Sequence, residues 1–444
     1  MIASVMTDGS IRALDRAWLH PFTSIAEHEA TPGLAMVEGR GARVRDAAGR
    51  WYLDAMAGLW CVNAGYGRGE IADAIAEQAR RLPYYHGFAG ATNEPASRLA
   101  AKLRELAPLP NAQVFFASSG SEANDTQIKL IWNYNNLRGR PAKKKLLART
   151  RGYHGSTVAA ASLTGLPYVH ARFDLPLSQA FVHVAPAHWP AGAAHGESED
   201  AYAERLAREL DEAIVREGPD TVAAFFAEPV MGAGGVLVPP AGYFERIQAV
   251  LRRHDVLLVA DEVICGFGRL GRWFGSQRYG IRPDLITIAK GLTSGYVPMS
   301  ACLVSEAVHE VLRAASREVG PFAHGYTYSG HPVGAAAALA NLDIFARENL
   351  IERADRIGAL LQARLRERCA GHGALADLRG VGMIAALQPR DPEHAKQLGA
   401  LLQADGVLVR VVAGCIALSP PLVLAEDEVE ELVAALARAL DKLA

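Results

Sequence analysis

Seven short apolar runs set the rhythm of the chain: Val114–Ala117, Lys145–Arg149, Phe181–Val184, Val222–Ala227, Val256–Ala260, Leu285–Ala289 and Ala301–Val304. The runs VLLVA (256–260) and LITIA (285–289) are unbroken, as befits strands covered on both faces. Segments with helical spacing separate most of them, including Ile71–Arg81, Glu94–Leu106 behind a capping Asn93, and a long stretch ending near Leu137. Alternation of this kind predicts an α/β protein built on a seven-stranded, mostly parallel sheet with helices on both faces.

The ends of the chain read differently. Residues 1 to about 30, around His20-Pro21-Phe22-Thr23, form an arm that must lie on something larger. From Ala35 to Ala55 the apolar positions alternate between turn signals at Gly39–Gly41 and Asp46–Gly49, which predicts an antiparallel meander. An Ala-rich helix opening at Ser329 leads out of the sheet region. Beyond it, helices over Ile351–Arg368 and Glu426–Leu443 surround strands over Val381–Leu387 and Gly406–Val412. The expected organisation is an arm and meander over 1–56, a large domain over 57–340 and a small α+β domain over 341–444 that takes in the meander.

Composition narrows the function classes. The chain has 444 residues, 50% hydrophobic and 21% charged, and a net charge of −2. A near-neutral chain gives no electrostatic case for nucleic acid or an anionic membrane. Five scattered cysteines without CxxC spacing argue against a disulfide framework or a zinc site. The first residues lack a signal-peptide pattern and no apolar run reaches membrane-spanning length, so a cytoplasmic setting is expected.

The candidate chemistry lies at the ends of two of the apolar runs. The run at 256–260 ends in Asp261-Glu262, and the run at 285–289 ends in Lys290-Gly291. Ligands of open α/β sheets sit at the carboxyl ends of the strands. Either residue alone would be an ordinary strand-end group. Together they suit pyridoxal 5′-phosphate, whose aldehyde condenses with a lysine amine and whose ring nitrogen is held protonated by a carboxylate. The turn Ser118-Ser119-Gly120-Ser121, between a strand and a helix N-terminus, has the composition of a phosphate site, though capping serines alone would account for it. The glycine-punctuated loop 57–67 carries an exposed-looking Trp60 of the kind that lines sites. A nucleotide-binding oxidoreductase is disfavoured, because no GxGxxG follows the first strand and such a site gives Lys290 no role.

In order along the chain, LDAMAGLWCVNAGYG, FFASSGSEANDT, GYHGST, FFAEPVMGAGG, ADEVICGFGRLG, IAKGLTSGYVPM and YTYSGHP resemble the class III (ω-amino) aminotransferases, of pyridoxal-phosphate fold type I. Within that class the sequence is most similar to ω-amino acid:pyruvate and amine:pyruvate transaminases. The resemblance runs from His20 to Leu422. It implies Lys290 as the lysine that binds the cofactor and moves the proton, and Asp261 as partner of the ring nitrogen. Val263 and Tyr153 would cover the two ring faces, Ser119, Gly120 and Ser121 would hold the phosphate, and Glu228 would sit beside Asp261. Thr327 would reach the phosphate of a neighbouring subunit, which makes a homodimer with shared sites the expected form, with a dimer of dimers left open.

Trp60, Phe88 and Tyr153 would shape the substrate pocket, and Arg410 would pair with a substrate carboxylate through two hydrogen bonds. Where relatives carry Gly-Asp past this arginine, Ala413-Gly414-Cys415 stands here. The implied reaction moves an amino group from an amine or ω-amino acid such as β-alanine to a keto acid, pyruvate, with no metal. Taurine and diamine transaminases, dialkylglycine decarboxylases and semialdehyde aminomutases share the core motifs.

Overall fold

A computed structural model describes residues 6–443. In the arm, helices Asp8–Asp15 and Ile25–Ala30 precede a meander of strands β1 (Met36–Arg40), β2 (Arg43–Asp46) and β3 (Trp51–Asp54), as the turn signals require.

The central sheet comprises β4 (Gln113–Ala117), β5 (Lys145–Arg149), β6 (Phe181–Val184), β7 (Val222–Ala227), β8 (Leu257–Asp261), β9 (Leu285–Ile288) and β10 (Ser300–Val304). They lie in the order β4-β10-β9-β8-β7-β5-β6. All neighbours are parallel except at β10, which is antiparallel to both β4 and β9. Every residue of β7 and β8 is buried, the burial that their continuous apolar sequences call for. This is the seven-stranded, mostly parallel sheet that the alternating apolar runs predict.

The C-terminal strands depart from the sequence reading in two places. The single strand expected over Val381–Leu387 is a hairpin of β11 (Leu375–Val381) and β12 (Ile384–Pro389). Gly382, at φ 57°, turns the chain there in a left-handed conformation that apolar patterning does not register. The strand expected over Gly406–Val412 is two, β13 (Val407–Leu408) and β14 (Arg410–Val412), which belong to different sheets. β13 runs parallel to β3 and completes the meander sheet, whereas β14 pairs with β15 (Cys415–Leu418) beside β11 and β12. Each piece finds its own hydrogen-bonding edge, and tertiary contacts decide where the run breaks.

A large apolar cluster passes from Leu53 and Ile71 through Leu342 and Leu361 to Leu436, tying helices Gly69–Arg81, Pro332–Arg347, Leu350–Cys369 and Glu426–Asp441 together. Among the described residues, no helix is long and apolar enough to cross a membrane.

Helix Leu350–Cys369 crosses the β11–β12 turn at Gly358, where an added Cβ would lie 2.6 Å from the carbonyl carbon of Gly382 and 2.8 Å from its Cα. Backbone cannot yield as a flexible side chain can. Gly358→Ala is therefore expected to destabilise by about 1–3 kcal/mol despite alanine's better helix propensity. Gly69→Ala, with nothing within 4 Å of the added atom, should be neutral. Thermal melts of the two variants check this, and an equal midpoint for both would refute the close approach.

Candidate active site

Asp261 closes β8 and is 3% exposed. Its Oδ2 accepts from Asn124 Nδ2 at 2.9 Å and lies 2.8 Å from His154 Nδ1, while Oδ1 takes the Val263 N–H at 3.2 Å. Thr287 Oγ1 donates to Asn124 Oδ1 at 2.8 Å, which turns the amide NH2 toward the carboxylate. No lysine or arginine pairs with Asp261 among the described residues, so Oδ1 keeps a lone pair for another donor.

Lys290 stands two residues beyond the end of β9, opening a 3-10 turn over Lys290–Leu292 rather than ending the strand itself. Its φ of 44° is uncommon for a non-glycine residue, a strain found most often at functional sites. The turn is clamped by Asn341, whose Nδ2 donates to the carbonyls of Gly291 (2.9 Å) and Leu292 (3.0 Å). The side chain is partly buried and its amine makes no hydrogen bond among the described residues. Burial lowers its pKa below the ordinary lysine value, with Asp261, Cys61 and Glu228 pulling the other way. An uncharged amine is the form that attacks a carbonyl.

Glu228 is buried just past β7. Its Oε1 accepts from the Tyr153 N–H (3.1 Å) and Oε2 from the Gly232 N–H (2.9 Å). Burial raises its pKa, while His154 acts to lower it. Glu262 is raised to about 7 by burial, although Gly275 N–H, Ser276 N–H and Ser276 Oγ all donate to it. Tyr153 is partly buried against Ala161, Leu166 and Val169, with its hydroxyl 3.0 Å from Ser156 Oγ.

The 118–121 turn leads into helix Gly120–Leu137. Ser119 caps it, accepting from the Glu122 N–H at 3.2 Å, and Ser121 Oγ accepts from the Ser156 N–H at 2.9 Å. The turn is packed too closely for larger residues. A Cβ on Gly120 would approach Val263 to 3.1 Å, and one on Gly155 would meet Ser121 Oγ at 2.7 Å. A hydroxyl-rich helix N-terminus, an unpaired buried-side amine and a carboxylate with a free lone pair suit a phosphorylated pyridine aldehyde, so the residues present fit that cofactor.

The remaining candidates divide. Trp60, read as exposed, is 5% exposed and packs with Val230, Ile264, Cys265 and Cys415. A backbone φ of 65° in a loop crowded by glycines turns the indole inward, which composition alone does not reveal. Arg410 is partly buried, makes no ion pair among the described residues, and lies within electrostatic range of Tyr168, as does Tyr153. The Ala413-Gly414 departure forms a two-residue hairpin turn, with Val412 paired to Cys415 and Gln388 donating to the Gly414 carbonyl at 2.7 Å.

Phe88 and Thr327 are exposed, and no hydrogen bond among the described residues joins either to Lys290 or Asp261. Phe88 lies over Gly325, and the Thr327 carbonyl accepts from the Tyr84 hydroxyl at 2.8 Å. The sequence reading missed Asn124, His154, Thr287 and Asn341. The first two stand inside quoted motifs, but nothing in the sequence pairs them with Asp261.

A profile of the aminotransferase class-III family matches residues 24–440, and the chain belongs to that family. Its cofactor is accordingly pyridoxal phosphate. The diaminobutyrate–2-oxoglutarate transaminase of Halomonas elongata is 47% identical, over 94% of this chain and 92% of that protein. Gamma aminobutyrate transaminase 1 of Solanum lycopersicum is 45% identical, over 95% and 84%. The crystal structure of the omega transaminase from Pseudomonas jessenii in complex with PMP superposes with a TM-score of 0.95 at 43% identity, covering 97% of this chain and 98% of that one.

Two variants test the pair. In cofactor-free protein, the unfolded chain's lysine titrates near 10.5 and the folded one lower. Between those values the unfolded state holds more protons, so stability rises with pH there, and the burial penalty is largest below both. Lys290→Met should therefore melt higher than the parent at pH 7, with the advantage shrinking as pH climbs toward 10; an advantage that grows would contradict a buried amine. Asp261→Asn, supplied with cofactor, should retain it but lose turnover by roughly 100-fold or more. Near-parental turnover would remove Asp261 from the role of ring-nitrogen partner.

Proposed function

We propose that this chain moves an amino group from an amine or ω-amino acid, β-alanine among them, to pyruvate, giving alanine. When bound, pyridoxal phosphate supplies the electrophilic carbon and the electron-accepting ring. Ser119, Gly120, Ser121 and the N–H groups of the helix start hold its phosphate, and Tyr153 and Val263 flank its ring. Asp261, fixed by Asn124 and His154, presents a negative charge to the ring nitrogen. Lys290 Nζ takes the proton from the substrate Cα in one half-reaction and returns it in the other. Trp60, Phe88 and Tyr153 bound the substrate space.

Arg410 carries the reading. A partly buried guanidinium without an acidic partner is costly unless a carboxylate arrives, and each turnover with a keto acid delivers one. A homodimer with Thr327 reaching the neighbouring phosphate is supported by the exposed aromatic edge of Tyr84, Tyr85, Phe88 and Tyr328. Five free cysteines accord with a reducing, cytoplasmic setting. A second reading, with 2-oxoglutarate as acceptor and diaminobutyrate or γ-aminobutyrate as donor, is favoured by the names of the relatives at 47% and 45% identity.

A panel of amine donors against pyruvate and 2-oxoglutarate, scored by alanine or glutamate formed, separates the two readings; absence of alanine would refute the first. Arg410→Ala should raise the pyruvate requirement steeply, since loss of one member of a hydrogen-bonded charge pair costs about 2–5 kcal/mol. Single-turnover release of ketone from a simple amine, which has no carboxylate, should be nearly unchanged. Equal losses in both half-reactions would instead make Arg410 a support of the fold or cofactor.

A further inference from the structure

The N-terminal arm gathers three metal-ligating side chains that transamination does not use. Asp15 ends helix Asp8–Asp15, His28 lies in helix Ile25–Ala30, and His20 lies on the link between them. His20 Nε2 is 3.0 Å from Asp15 Oδ1, and His28 Nε2 is 2.7 Å from Asp15 Oδ2. One ligand atom from each residue lies within 4.8 Å of the others. The two imidazoles lie 4.3 Å apart between centroids, tilted by 47°, and Trp18 lies against His20 at the same separation. All three side chains are about a fifth exposed and line one hollow of about 610 Å³. Arg12, which also lines it, is paired with Asp8 at 2.6 Å.

Both rings offer the same atom to a single carboxylate. Ordinary hydrogen bonding explains the triangle while each Nε2 carries a proton. If each ring instead carries its proton on Nδ1, two imidazole lone pairs and a carboxylate oxygen are offered from atoms within 4.8 Å of one another. A tetrahedral zinc site with bonds of 2.0–2.1 Å sets its ligand atoms about 3.4 Å apart, a small swing of the rings from the present spacing. Two nitrogens and one oxygen suit a transition metal rather than magnesium or calcium, and the hollow leaves room for water at the fourth position.

We propose that Asp15, His20 and His28 bind a divalent transition-metal ion, zinc fitting best, which staples the two arm helices together. Phe22 stands between the two histidines in sequence and meets Tyr168 edge-on at 6.4 Å, so the ion also secures that contact of the arm with the body of the protein.

The test uses untagged, cofactor-loaded, full-length protein freed of metal by chelation. Titration with zinc chloride should show one ion bound per chain, and cobalt(II) should give the visible bands of a tetrahedral nitrogen–oxygen site. Asp15→Asn, His20→Ala and His28→Ala should each weaken binding by more than the roughly 10–100-fold lost with outer-shell partners. Should a variant fail to fold, diethylpyrocarbonate labelling of the parent protein decides instead: zinc must protect both His20 and His28 from modification. Absence of stoichiometric uptake, uptake unchanged in a folded His20→Ala/His28→Ala variant, or both histidines remaining reactive in the zinc-loaded protein would overturn the proposal.

Discussion

The parallel pairing of β8 with β9 is the constraint on which the site depends. Its register sets Asp261 opposite Thr287, so the two strands deliver their carboxyl ends side by side. From that pairing a hydrogen-bond relay follows: Thr287 orients Asn124, and Asn124 holds Asp261. A slip in register would move the Thr287 hydroxyl away from the amide and leave a buried carboxylate with fewer donors. Removing a partner from a buried charge typically costs 3–5 kcal/mol. The sheet is thus both the scaffold of the site and the source of its electrostatics.

Burial at this edge acts in opposite directions on acids and bases. It lowers Lys290 and raises Glu228 and Glu262, in each case favouring the uncharged form. Asp261 has a different setting, receiving an amide, an imidazole and a backbone N–H. Low dielectric thus favours the neutral amine of Lys290, while the polar contacts of this region gather on Asp261.

The lysine turn is also tied to distant parts of the chain. Asn63 donates to the Phe267 carbonyl at 2.8 Å and accepts from the buried Arg269 at 2.7 Å, and Arg269 in turn holds the carbonyls of Met383 and Pro420. Ser294 joins the Ala64 N–H to Asn341, the residue that clamps Gly291 and Leu292. The loop after the meander, the lysine turn and the C-terminal strands thus share one buried polar network. These bonds fix the placement of the three segments relative to one another, although Arg269 Nε finds no partner among the described residues.

The central sheet was legible in the sequence because its inner strands β7, β8, β9 and β10 are buried throughout, and burial on both faces writes itself as unbroken apolar runs. That Asp261 closes β8 and Lys290 follows β9 was legible for a related reason: each charge stands directly after such a run. Family motifs extended the expectation to Ser119–Ser121 and Tyr153. Contacts across the fold lay beyond the sequence. The inward turn of Trp60 comes from a backbone conformation, the break between β13 and β14 from the choice of two different sheet edges, and the support of Asp261 by Asn124 and His154 from residues 137 and 107 positions away. Local pattern records what each segment must bury, whereas hydrogen bonds between segments depend on register and packing, which exist only once the chain has folded.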